Sequence, residues 1–390
     1  MNKTFKNKNK NKDIIKMGEN KIRYNEEFID LLDKLSTLMM NKGEIFRARA
    51  YKKASQSIMN YNKDISCVSQ IKDLAGIGKT IQEKLKEFIE TGTLKVLERE
   101  KNNPVNILTR VYGIGPKKAK ELVKKGITSI DILKERMDDL NLTAAQKLGI
   151  KYFEDIEERI PRKEIDKYKE RLNKVFNKVS KKVNGSSMYD IVGSYRRGSK
   201  TSGDIDIIIT NRENNREIFD KFIDELEKEN IILHFLSRGK TKSLTICQLP
   251  RKNARRVDFL YSPPDEYSFA LLYFTGSKYF NTYQRQVALN KGYSLNEHGI
   301  YKMRDGIKCE KIEMEFPYEE SIFKFLDMEY RSPENRQKGG ATTITPTSTQ
   351  SPTPSSNTII KSTKTKSSKT KTSKTKSVNK TIKKKIKKIE

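Results

Sequence analysis

Residues 193–210 read Gly-Ser-Tyr-Arg-Arg-Gly-Ser-Lys-Thr-Ser-Gly-Asp-Ile-Asp-Ile-Ile-Ile-Thr, a small-residue turn with two arginines that leads into an acidic pair and an apolar run. The run from Asp204 to Thr210 is short and β-branched, as a buried strand would be. Side chains two residues apart on a strand project to one face, so Asp204 and Asp206 would hold their carboxylates side by side. Taken alone, such a pair is more often a solvated edge or an Asx-type turn. Here the flanking isoleucines predict burial, and two buried carboxylates without a cation would be costly. Mg²⁺ favours carboxylate together with phosphate oxygens. The Gly193-Ser194 turn offers small hydrogen-bonding groups to a triphosphate, and Arg197 offers a guanidinium to complement its charge. A third carboxylate, Asp258 in Arg255-Arg256-Val257-Asp258-Phe259, reads as lying on an adjacent strand, and three carboxylates can hold two Mg²⁺ ions.

SLTICQL (243–249) and RRVDFLY (255–261) read as further strands bounded by Pro and Asn, while residues 216–229 and 319–330 carry helical periodicity. Residues 20–160 read as helical: Phe28, Leu31, Leu32, Leu35, Leu38 and Met39 recur at three- and four-residue spacing. An all-α front followed by a mixed sheet with helices makes the chain α+β. The helical half contains an internal repeat. Leu-Ala-Gly76-Ile-Gly78 precedes TIQEKLKEF, and Gly113-Ile-Gly115-Pro precedes KKAKELVKK, with the two Gly pairs 37 positions apart. Each has the form of a helix-hairpin-helix. Two glycines allow a tight turn whose N–H groups approach a phosphate, and the next helix turns its positive end to the anion. A lone G-x-G is usually a plain turn, but two copies flanked by lysines point to DNA-backbone binding.

Charge supports that partner. Lys and Arg number 80 against 50 acidic residues, a net charge of +30, which favours a polyanion. No apolar run approaches the roughly 20 residues that span a bilayer, so a membrane is not the expected partner. The three cysteines (Cys67, Cys247, Cys309) have no C-x-x-C spacing, and two histidines (His234, His298) are too few for a His-based metal site or a Ser-His relay. The chain is therefore expected to be intracellular rather than secreted, nuclear or wherever its DNA is replicated, with chemistry resting on carboxylates or lysines. Residues 1–19 read as a flexible basic lead-in. Residues 338–390 are Thr, Ser, Pro and Lys repeats with fourteen Lys against one Glu, so 13 of the 30 net charges sit there, and they read as a disordered tail. Tethering to DNA, nuclear import and solubilisation are all open roles for it.

GSYRRG, SGDID, RRVD and LLYFTGSKYFN, in this order and spacing, resemble the family X DNA polymerases, in particular their beta type, over about residues 20–337. The resemblance implies a helical lyase domain with a helix-hairpin-helix (20–97), a helical DNA-binding subdomain with the second hairpin (98–160), a nucleotidyltransferase palm (161–262) and a C-terminal subdomain that closes on the nascent base pair (263–337). It implies two Mg²⁺ ions at Asp204, Asp206 and Asp258, and a monovalent cation, Na⁺ or K⁺, at the hairpins. It sets Arg159, Ser194, Arg197, Ser202 and Gly203 around the triphosphate, and Tyr273, Phe274 and Gly276 at the sugar of the incoming nucleotide. Asn281 and Arg285 would read the minor-groove side of the new pair. In the front domain it makes Lys84 the Schiff-base nucleophile of a 5′-deoxyribose-phosphate lyase, its neutral form favoured by nearby Lys72 and Lys79. Arg47, Tyr51 and Thr80 would form a pocket for a 5′-phosphate, with Lys79 as the substitute cation, and the Gly76, Gly78 and Gly113, Gly115 turns would bind the DNA backbone.

The implied partners are gapped or nicked DNA and deoxynucleoside triphosphates, and the implied state is a monomer acting in base excision repair. Departures are visible. Thr80 stands where the pattern has a cation, Lys278 where it often has an acidic or small residue, and Thr282 where it has a basic one. The short link from Pro250 to Arg255 argues against the long loop of template-independent relatives, and the front is too short for the protein-interaction domain of end-joining relatives. A template-independent nucleotidyltransferase and a non-catalytic DNA-end-binding protein remain the alternatives.

Overall fold

The computed structural model describes residues 23–337, so the basic lead-in and the Lys-rich stretch from 338 singled out above lie outside the described residues. The chain opens with α1 (Asn25–Lys42), α2 (Ile45–Met59) and α3 (Lys79–Thr91). The apolar stripe of α1 from Phe28 to Met39 is buried against Tyr51, Ile58, Ile77, Ile81 and Leu85, which closes a first core. α1 ends at Gly43, whose φ of +88° lets its N–H return to the carbonyls of Met39 and Met40.

Helix α4 (Lys95–Glu100) adds Val96 and Leu97 to that first core, and a second helical core is built by α5 (Pro104–Leu108), α6 (Pro116–Lys124), α7 (Ile130–Glu135), α8 (Ala144–Lys151) and α9 (Phe153–Glu157) around Leu108, Ile114, Leu122, Leu133 and Ile150. The two hairpins have the same backbone: Gly76 and Gly113 adopt φ of +86° and +81°, and Gly78 and Gly115 are the extended N-caps of α3 and α6. A β-carbon on Gly113 would meet Gln146 Cγ at 3.1 Å, so space as well as φ selects glycine there.

The sheet domain runs β1 (Ile160–Pro161), α10 (Arg162–Ser180), β2 (Ser187–Ile191), α11 (Gly193–Arg196), β3 (Thr201–Ser202), β4 (Ile205–Asn211), α12 (Glu217–Lys228), β5 (Ile232–Arg238), β6 (Lys242–Gln248) and β7 (Ala254–Tyr261). Five strands pair in the order β2-β4-β7-β6-β5, with β4 and β7 parallel and the other neighbours antiparallel. Alternation along the strands sorts the residues. Ile205, Ile207 and Ile209, with Val257, Phe259 and Tyr261, pack with the apolar faces of α10 and α12, which leaves Asp206, Ile208 and Asp258 on the opposite face. β1 pairs with β3, bringing Ile160 opposite Ser202.

The last part contains α13 (Tyr267–Thr275), α14 (Lys278–Asn290), the antiparallel strands β8 (Tyr293–Asn296), β9 (Gly299–Arg304) and β10 (Ile307–Lys311), and α15 (Glu319–Phe325). Its core is formed by Phe269, Leu272, Phe280, Ile300, Phe316, Ile322 and Phe323. The α+β class holds.

Candidate active site

Strands β4 and β7 bring the acidic residues together. Parallel register sets Asp206 directly opposite Asp258, and Asp204 joins them with its carboxylate, all three lying within 4.8 Å of one another. Asp204 is not itself on β4. It occupies the bend at Gly203 immediately before the strand, so the acidic pair straddles the strand start instead of sharing it.

Burial pushes the Asp206 carboxyl up to about 6, the neighbouring Asp258 adding to the rise while Lys242 and Arg197 oppose it. Burial raises Asp258 as well, against the pull of Arg256 and Lys242. Among the described residues Asp258 Oδ1 is buried without a hydrogen-bond partner, and the Arg256 guanidinium contacts Asp204 while its Nε lies 3.5 Å from Asp258 Oδ1. A carboxylate cluster with an unpaired buried oxygen and a side-chain cation across it is a donor set that fits divalent metal use.

The turn of α11 lies against this cluster. Gly193 has φ of +61°, and a β-carbon there would fall 2.6 Å from Asp206 Oδ2. Val192 N–H donates to the Asp206 carbonyl at 2.8 Å, which fixes the turn to the strand. At the next residue, Ser194 Oγ donates to Ser202 Oγ at 2.7 Å, and Ser202 is buried. Arg159 donates to the Thr201 carbonyl at 2.7 Å, and its Nη1 is the atom nearest a β-carbon added at Gly203. Arg197 donates to the Thr275 carbonyl at 2.6 Å; burial lowers its pKa, with Asp206 acting in the opposite sense. Arg159, Ser194, Arg197, Ser202 and Gly203 therefore line one wall beside the aspartates.

Helices α13 and α14 adjoin this wall through Arg197. Phe274 shares a small cavity with Val192, Asp206, Lys242 and Asp258. Tyr273 stands edge-on to Phe274, with ring centroids 5.0 Å apart. Asn281 donates to the Tyr273 carbonyl at 2.7 Å, and the Arg285 guanidinium lies 4.8 Å from the centre of the Tyr273 ring. Gly276, with φ of +67°, passes close to Arg197: an added β-carbon would be 3.2 Å from Nη1.

In the front domain Arg47, Tyr51, Gly76, Gly78, Lys79 and Thr80 line one cleft of about 260 Å³. Lys84 lies on α3, one turn beyond Thr80, and is not among the residues that line this cleft. Gly113 and Gly115 form the second hairpin in their own core, where Gln146 donates to the Gly113 carbonyl at 2.8 Å.

Three participants escaped sequence reasoning. Lys242 faces the aspartates from β6, two residues before Leu244, which pairs with Asp258. Arg256 precedes Asp258 by two on β7, a spacing that marked it for the same face. Glu319 accepts from Arg196 at 2.7 and 3.0 Å and from the fully buried Arg336 at 2.6 Å, which ties α11 to α15. No local signal announces that last network.

Four family models match the chain in succession: a helix-hairpin-helix domain at residues 23–94, the fingers domain of DNA polymerase lambda at 106–157, the DNA polymerase beta palm at 159–264 and the DNA polymerase beta thumb at 270–337. DNA polymerase lambda of Arabidopsis thaliana is 32% identical over 336 residues, covering 80% of this chain and 62% of its own length. DNA polymerase lambda of Rattus norvegicus is 29% identical over 329 residues, covering 80% of this chain and 56% of its own. The chain thus spans less than two thirds of the length of these relatives.

Proposed function

This chain belongs to the family X DNA polymerases, and from that membership we propose that it is a template-directed repair polymerase that fills short gaps in DNA and carries a 5′-deoxyribose-phosphate lyase in its front domain. The observation that carries the first activity is the in-register pairing of Asp206 with Asp258, with Asp204 beside them and the serine and arginine wall of α11 at their edge.

Asp204, Asp206 and Asp258 would hold two Mg²⁺ ions, whose chemistry there is to activate the primer 3′-hydroxyl and to neutralise charge on the triphosphate. Arg159, Ser194, Arg197, Ser202 and Gly203 bind and orient the phosphates. Arg197 needs little rearrangement to do so, since its head is already fixed on the Thr275 carbonyl. Tyr273, Phe274 and Gly276 border the sugar, and Asn281 and Arg285 face the minor-groove edge of the new pair.

The cleft of Arg47, Tyr51, Gly76, Gly78, Lys79 and Thr80 is suited to a terminal phosphate. Lys84, a turn further on, would attack the opened abasic sugar. Gly113 and Gly115 approach the DNA backbone, and the hairpins are where a monovalent cation would sit. The division into lyase, DNA-binding, palm and nascent-pair units at 20–97, 98–160, 161–262 and 263–337 belongs to this reading, as do gapped or nicked DNA and deoxynucleotides as ligands, a monomeric state, and a place of action where the DNA is replicated and repaired. Among the described residues no helix is long and apolar enough to cross a membrane.

Extension of a primer at a one-nucleotide gap, with and without a 5′-phosphate and against an unannealed primer, tests it. Extension at the gap alone is expected. Equal extension of the unannealed primer would favour a template-independent transferase. DNA binding without Mg²⁺-dependent incorporation would favour a non-catalytic end-binding protein.

A further inference from the structure

Gln284 stands three residues after Asn281 and next to Arg285 on α14, and together with Tyr273 and Asn296 these residues line a small cavity between α13, α14 and β8. Gln284 is 1% exposed, and its Nε2 has no hydrogen-bond partner among the described residues. A buried amide left in that condition is costly, and an unbranched apolar side chain of similar size would carry no such cost. The other polar groups around the cavity are engaged. Arg285 lies over the Tyr273 ring and 3.8 Å from Glu297, and Asn296 accepts from the His298 N–H at 3.0 Å.

The use for a spare donor is local. Tyr273 lies in the last turn of α13, where carbonyls lack helical partners. The Gly276 N–H goes to the Leu272 carbonyl and the Ser277 N–H to the Arg336 carbonyl, so the Tyr273 carbonyl is served by the Asn281 side chain at 2.7 Å. On the function proposed above, Asn281 is also the residue that turns to the minor-groove edge of the new pair. One amide is thus claimed by two acceptors.

We infer that Gln284 is a positioning residue for nucleotide binding: its spare N–H takes over the Tyr273 carbonyl when Asn281 turns to the base, which holds the end of α13, and the Tyr273 ring with it, in place beside the sugar. The inference rests on the function proposed above. Before the exchange one buried donor is unpaired; after it, both that donor and the carbonyl have a partner. Without Gln284, the turn of Asn281 would orphan a carbonyl that no N–H of its own helix reaches.

Gln284→Met, which nearly keeps the volume and removes the amide, tests this in the full chain on one-nucleotide-gapped DNA. The KM for the complementary nucleotide should rise about fivefold or more, the lower bound for leaving one buried carbonyl unpaired, with kcat within twofold. In an Asn281→Ala background the same change should leave KM within twofold, because the Tyr273 carbonyl has then lost Asn281 before the nucleotide arrives as well as after. Amide hydrogen exchange of α14, measured without nucleotide, should be about fivefold slower in Gln284→Met than in the wild type, since an unpaired buried group has been removed; a packing role alone predicts faster exchange. An unchanged KM in Gln284→Met, an equal rise in both backgrounds, or faster exchange of α14 each overturns the relay and leaves the polymerase reading intact. Absence of incorporation by the wild type overturns that reading, and the relay with it.

Discussion

Replacing Glu319 by Gln removes the one charge that serves two arginines. Glu319 is buried, Arg336 is fully buried, and Arg196 is largely so. Burial alone would raise the Glu319 carboxyl, but hydrogen bonds from Arg196 and Arg336 and their positive charges outweigh it and hold the carboxyl below the usual glutamate range. Breaking a buried ion pair by neutralising one partner typically costs 3–5 kcal/mol, because the remaining charge stays buried. Here Arg196 keeps the Thr275 hydroxyl at 2.7 Å and Arg336 keeps the Arg331 carbonyl at 2.8 Å, so the low end, about 3 kcal/mol, is expected.

Amide hydrogen exchange of α15 and α11 reads this locally, and 3 kcal/mol corresponds to roughly a hundredfold faster exchange where opening is local. A carboxyl whose folded value is depressed contributes stability above its unfolded value, near 4.5, and loses it as pH falls through the folded value. The ratio of exchange rates between Glu319→Gln and the wild type should therefore be largest at neutral pH and shrink as pH falls below that point. Exchange within threefold of the wild type at pH 7, or a ratio indifferent to acid, would refute the argument.

Gly193→Ala should cut incorporation at least about tenfold while leaving gapped-DNA binding within a few-fold, since the new methyl meets Asp206 Oδ2 at 2.6 Å on a backbone at φ of +61°; binding and single-turnover assays separate the two. Tyr273→Ala should raise ribonucleotide insertion roughly tenfold by opening space at the sugar 2′ position, and unchanged sugar selectivity in competition assays would remove Tyr273 from that position. Borohydride should trap the protein on 5′-deoxyribose-phosphate DNA. Lys84→Ala should lose most of that adduct and keep gap filling, whereas trapping as strong as in the wild type would move the nucleophile to another lysine, Lys79 first.

The acidic cluster was legible because strand alternation is a local rule: the two-residue spacing of Asp204 and Asp206 and the apolar run after them needed no tertiary information. The same locality misjudged Asp204, since nothing in the composition says that the strand begins one residue later, after the Gly203 bend. The hairpins were legible for a similar reason, each glycine pair standing just ahead of a helix. The small sheet of β8, β9 and β10 was not, because Tyr293–Asn296 and Ile307–Lys311 are half polar and lack a clean alternation. Nor was the fate of Lys278, visible in sequence only as a departure from the family pattern. Its partners Asp30 and Asp33 lie about 250 residues away, and only the folded chain brings them within reach. Lys242 and Glu319 share that character, each defined by what the sheet or the helices carry to it from elsewhere.

On the reading proposed here, the aspartate cluster copies a template. Copying is tested most directly by offering each of the four deoxynucleotides, with Mg²⁺, at a one-nucleotide gap opposite each template base, to the wild type and to Asp206→Ala and Asp258→Ala. Insertion of the complementary nucleotide by the wild type and none by either variant is expected, with both variants still binding the gapped DNA. Insertion that ignores the template base, or extension by either variant at the wild-type rate, would contradict it.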